Sequence, residues 1–160
     1  MATLVAVNPK VVKGAMEIVT RYAAASTVWK AGQILRINSS GALVAISDNA
    51  TTGGAAYLAL TDRATGDAAG YVEVGKITSD LVFEMHVTSG TVSTANIGQS
   101  YALSVDSNKV TVDTADTNDP YVTVLELGFN YDPAVNDSSD TLARVRVKFI
   151  QSIIDAAPAG

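Results

Sequence analysis

Thr141-Leu142-Ala143-Arg144-Val145-Arg146-Val147-Lys148-Phe149-Ile150 decides the fold. From Arg144 onward its side chains alternate: Val145, Val147 and Phe149 fall on one face, and Arg144, Arg146 and Lys148 on the other. A period of two belongs to a β-strand with one buried face, because successive side chains leave a pleated backbone on opposite sides. The apolar face requires a packed layer. The cationic face requires water or an acidic partner.

Upstream, from Gly32, the chain reads as short β-branched runs separated by Gly, Asn, Asp, Ser and Thr clusters. The runs are 33–37, 42–46, 55–61, 71–77, 81–87, 101–105, 110–112 and 121–127. No sustained period of 3.6 competes with them, so the expected fold class is all-β, built as one or two small barrel or sandwich units. Asn38-Ser39-Ser40-Gly41 and Asp106-Ser107-Asn108-Lys109 each join two apolar runs with residues suited to tight hairpins. The segment Ala31-Gly32-Gln33 lies over Ile97-Gly98-Gln99 at an offset of 66 residues, with Ile37 over Leu103, Val44 over Val110 and Leu58 over Val124. This pattern fits either two related β units or the resemblance that any two hairpins share. The chain therefore divides into an extended N-terminal arm (1–28), a first β unit (29–77), a second β unit (78–150) and a C-terminal tail (151–160).

Of the 160 residues, 48% are hydrophobic and 17% charged, with a formal net charge of -5, which argues against global disorder and against generic nucleic-acid binding. Zero cysteines and a single histidine remove disulfide frameworks, thiolate metal sites and most nucleophilic catalysis. The expectation is a protein that is not an enzyme and needs no cofactor or metal. The N-terminal sequence has no secretory pattern, and no run approaches the roughly 20 apolar residues of a membrane span, so a soluble protein made in the cytoplasm is expected. Charge is uneven. Residues 1–36 carry five cations against Glu17, residues 37–140 three cations against fourteen acids, and residues 141–160 three cations against Asp155. Both ends are thus basic and the body acidic. One account is that loops collect Asp for turn-making; the other is that the ends face an acidic surface.

Four constellations bear on chemistry. Glu84-x-His86 places an acid and the only histidine on one strand face, as a general-base pair requires, but no nucleophile elbow accompanies it. Asp113-Thr114-Ala115-Asp116-Thr117-Asn118-Asp119-Pro120 concentrates hard oxygen ligands yet lacks the glycine and the bidentate glutamate of a calcium loop, and the loop with Asp132, Asp137 and Asp140 reads the same way. Gly53-Gly54 and Gly66 to Gly70 lack the Lys-Ser or Lys-Thr ending of a phosphate cradle. Trp29 and the tyrosines at 22, 57, 71, 101, 121 and 131 could line a sugar-binding face, but their scatter fits core and subunit-contact positions better.

The segments Tyr22-Ala23-Ala24-Ala25, Trp29-Lys30-Ala31-Gly32-Gln33-Ile34-Leu35, Gly41-Ala42-Leu43-Val44, Leu81-Val82-Phe83-Glu84-Met85 and Asn96-Ile97-Gly98-Gln99-Ser100-Tyr101 together resemble head decoration (cement) proteins of tailed bacteriophages, including those of cyanophages. The resemblance spans about residues 16 to 150 through short motifs. It implies a non-catalytic homotrimer on the outer surface of the expanded capsid, where it would clamp neighbouring major capsid proteins in the virion. Surplus apolar residues such as Val122, Val124, Leu125 and Leu127 also suggest burial between subunits. On this reading Lys10, Lys13, Arg21, Lys30, Arg144, Arg146 and Lys148 contact the shell, with no nucleic acid or membrane partner. A phage tail or fibre component, a carbohydrate-binding module and a hydrolase using Glu84 and His86 are the competing readings.

Overall fold

The computed structural model describes residues 9–47, 56–88, 92–106, 109–128 and 143–155. The strands are β1 (Lys10–Lys13), β2 (Ile18–Ala23), β3 (Ile34–Ile37), β4 (Leu43–Ala45), β5 (Tyr57–Ala59), β6 (Gly70–Lys76), β7 (Val82–His86), β8 (Ser100–Asp106), β9 (Lys109–Asp113), β10 (Val122–Leu127) and β11 (Arg144–Phe149). One turn of 3-10 helix at Thr94–Asn96 and a short helix, α1 (Gln151–Ile154), complete the regular structure of the described residues. The strands form two antiparallel sheets packed against each other, in the orders β1-β7-β11-β10-β8-β9 and β2-β6-β5-β3-β4. The fold is all-β. The sheets form a sandwich and neither closes into a barrel: among the described residues the end of β7 meets β9 through the isolated parallel bridge Val87–Val112 and Thr88 N–H on Val112 O, without a continuous ladder.

The decisive stretch is β11, between β7 and β10. Val145, Val147 and Phe149 are completely buried, and the Phe149 ring meets Phe83 edge-on at 5.2 Å. Each such side chain contributes about 1.5–3 kcal/mol by leaving water. In β3 and β5, adjacent residues are buried on opposite faces. Ile34 and Leu58 join the large core of the six-stranded sheet, whereas Leu35 and Ala59 pack with Ala23, Trp29, Leu43 and Val74 in a smaller one. The five-stranded sheet is therefore apolar on both sides in its middle, which explains runs too hydrophobic to alternate.

The suspected repeat is structural. Setting β2, β3, β4, β5 and β6 over β7, β8, β9, β10 and β11 reproduces one sheet order in both units. The hydrogen bonds repeat as well. Gln33 N–H donates to Lys30 O, Gly32 N–H to Ala59 O and Ala59 N–H to Gln33 O. In the second unit Gln99 N–H donates to Asn96 O, Gly98 N–H to Val124 O and Val124 N–H to Gln99 O. Ile77 N–H on Ala56 O is likewise matched by Ile150 N–H on Tyr121 O. Gly32 and Gly98 both have positive φ, 89° and 84°, as the third position of a type II turn requires.

Two expectations about the chain ends are corrected. Residues 10–13 and 18–23 are not an extended arm: β1 is the edge strand beside β7, and β2 pairs along its whole length with β6. Their partners are distant in sequence, so no turn signal marks them. The alternation of β1 is broken by a register shift between Val11 and Lys13, and β2 turns Arg21 inward with Val19 and Ala23. The 28/29 boundary also gives way, because β2 belongs with the first unit while β1 crosses to the sheet of the second. At the other end, residues 151–155 are not a loose tail. Ile153 and Ile154 of α1 pack on the large core. Residues 1–8 and 156–160 lie outside the described residues.

Candidate functional site

The outer face of the six-stranded sheet carries a row of alternating charge. Lys10 of β1 stands opposite Glu84 of β7, Glu84 opposite Arg146 of β11, and Arg146 opposite Glu126 of β10. Glu84 is the anchor. Its Oε1 accepts from Arg144 Nη1 at 3.0 Å and its Oε2 from Arg146 Nε at 3.4 Å, while Arg146 Nη1 donates to Glu126 Oε1 at 3.2 Å. The Glu84 side chain is 4% exposed against 28% for Arg146 and 36% for Arg144. A carboxylate so far from water is stabilised in its charged form only by such partners.

This row changes the argument for the cationic face of β11. The acidic partner expected from outside is supplied for Arg144 and Arg146 by the chain's own Glu84 and Glu126. Lys148, opposite Thr123, is exposed and forms no ion pair among the described residues. Lys10 and Lys13 are exposed on β1. Arg21 and Lys30 belong to the other sheet's unit and are engaged locally. Arg21 Nε donates to Tyr57 Oη at 2.9 Å with its guanidinium 5.2 Å from that ring, and Lys30 lies 3.6 Å from Asp62. The seven cations thus divide between two sheets.

Glu84 and His86 do share a face, but both are buried, Glu84 with both oxygens on guanidinium groups and His86 1% exposed opposite Arg144. Two carboxylates of the Asp113–Asp119 loop serve its own turns: Asp113 Oδ1 accepts from Ala115 N–H and Asp116 Oδ1 from Asn118 N–H. Among the described residues no three metal-ligating side chains gather. The loop with Asp132, Asp137 and Asp140, together with Gly53, Gly54 and Tyr131, falls outside them. Asp67 Oδ2 accepts from Ala64 N–H and closes the turn around Gly66.

The aromatics separate into two groups. Trp29, Tyr101 and Tyr121 are buried. Burial pushes the Tyr121 hydroxyl above its ordinary range, with Arg36 opposing and Asp119 adding to the shift. The Asp62 carboxyl is held below its usual range, chiefly by the Ala31 N–H that it accepts. Tyr22 and Tyr71, direct cross-strand partners on β2 and β6, stand outside with ring centroids 5.8 Å apart and planes at 66°. Tyr71 is 75% exposed and Ile18, on the same face of β2, 59%. The expectation of core and subunit-contact positions covers both groups, but it does not single out this patch. The signal for it is the period-two set Ile18, Thr20, Tyr22.

No protein-family model matches the chain, and no curated protein matches it. No helix among the described residues is long and apolar enough to cross a membrane.

Proposed function

We propose that this chain is a capsid decoration protein, a homotrimer that binds the outside of an expanded icosahedral phage shell and ties neighbouring major capsid proteins together. The observation that carries the reading is the exposed patch of Ile18, Tyr22 and Tyr71 on β2 and β6, where the sheet positions exposed beside them, Thr20 and Glu73, are polar. Large apolar side chains grouped on one sheet face suit a protein–protein contact. The resemblance of the Gly-Gln strand entries and the Phe83-Glu84-Met85 run to cement proteins supplies the kind of partner. Lys10, Lys13 and Lys148 are exposed cations with no ion pair among the described residues and can meet an acidic shell, while Arg144 and Arg146 are offset by Glu84 and Glu126.

The test is co-sedimentation with expanded and unexpanded shells. Binding to expanded shells alone supports the reading; equal binding to both, or to neither, opposes it. Sugar binding is the second reading, favoured by the exposed Tyr71 ring. The 66° tilt between Tyr22 and Tyr71 denies it a flat two-ring platform, and a glycan array decides between the two.

A further inference from the structure

The two units differ at one edge. In the second, β1 lies antiparallel along the N-terminal half of β7, with Lys10 opposite Glu84 and Val11 opposite Phe83. The pairings β2–β6 and β7–β11, together with β5–β6 and β10–β11, place Ile18, Thr20 and Tyr22 where the second unit has Val82, Glu84 and His86. Among the described residues no strand is hydrogen-bonded to β2 at the position that β1 takes on β7. Lys76 N–H donates to Glu17 O, so the ladder alternates to turn the backbone groups of Ile18, Thr20 and Tyr22 away from β6 and toward that open edge.

We propose that the β2 edge is a docking site for an extended segment of a partner polypeptide, which adds antiparallel to Ile18–Tyr22 as β1 adds to β7. The chemistry of the occupant follows from the face around it. Ile18, Tyr22 and Tyr71 offer apolar contact on either side of Thr20, and Glu73, opposite Thr20, is exposed with no ion pair among the described residues. A segment that sets a lysine or arginine beside apolar residues satisfies both, and β1 itself, Lys10-Val11-Val12-Lys13, is of this type. Main-chain hydrogen bonds supply the affinity and the flanking side chains the selection. In the free protein the edge is guarded: Arg21 Nη1 donates to Thr20 O at 2.8 Å. Docking moves that one donor aside while Arg21 Nε keeps Tyr57 Oη. A bare edge would invite indiscriminate pairing, and a charged side chain over it is a usual protection. The proposal holds whatever assembly the partner belongs to.

The experiment titrates the isotope-labelled full chain with a synthetic peptide of the sequence Pro9 to Gly14, whose intrinsic place on β7 is already filled. Amide shifts at Ile18, Thr20 and Tyr22 at millimolar peptide, with Val82 and Glu84 unmoved, are expected. Thr20→Pro removes an outward N–H that β6 does not use and should abolish the shifts. If that variant fails to fold, Thr20→Lys, which sets a cation against the cationic strand, should weaken binding at least tenfold and strengthen its loss with falling salt. Shifts centred on β7 or spread over the surface, no shifts at all, or wild-type binding by the folded variant would overturn the proposal.

Discussion

Gly32 and Gly98 occupy the same position of the same turn in two copies of one five-stranded unit, each with a left-handed backbone and each donating its N–H across to the neighbouring strand, at Ala59 O and Val124 O. A side chain at Gly98 would meet nothing within 4 Å, so its need for glycine is conformational. Gly98→Ala should therefore cost about 1 kcal/mol through the backbone alone. Gly98→Asn should cost less, since Asn tolerates positive φ. Urea denaturation of the two variants checks the order.

Glu84 holds two guanidinium groups from a buried position. Glu84→Gln keeps the shape and removes the charge, leaving Arg144 and Arg146 against a neutral amide. A loss of about 3 kcal/mol is expected, at the low end for a broken buried pair because both arginines reach water. A double-mutant cycle of Glu84→Gln with Arg146→Gln should show coupling, which independent sites would lack.

The body of the fold was legible in the sequence because its strands announce themselves locally. The alternation of β11 and the Asn38 to Gly41 turn need only neighbouring residues, and Asn38 Oδ1 does accept from Ser40 and Ala42 N–H within the hairpin. The 66-residue offset was legible for the same reason, since each turn glycine is required by its own backbone. β1 and β2 were not legible: their partners lie more than 45 residues away, and β2 shows water Ile18 and Tyr22 while half-burying Arg21. The ion pairs of Arg144 and Arg146 depend on a register between β7 and β11 that no local pattern encodes.

Removing residues 1–28 should unfold the protein rather than free it from a partner. The deletion takes away β1 and β2, and with them Ala23 from the small core and the packing of Val11 and Met16 on the large one. Removing residues 1–8 alone leaves every described strand in place. Far-ultraviolet circular dichroism and thermal melting of the two truncations test this directly.

Tyr121 gives the pH dependence a sign. Its folded pKa is raised above the ordinary value of 10.0, so the neutral hydroxyl is favoured in the fold. The contribution is fully present below pH 10 and is lost as the pH climbs through the folded pKa. Urea midpoints from pH 8 to 11 should fall at the alkaline end, and Tyr121→Phe should flatten that fall.

The function is tested most directly by imaging phage particles that carry a tagged copy of this protein. Electron microscopy should place the tag on the outside of expanded heads, as trimeric density between neighbouring capsid subunits. Label confined to tails or fibres, or heads without label, would contradict the account.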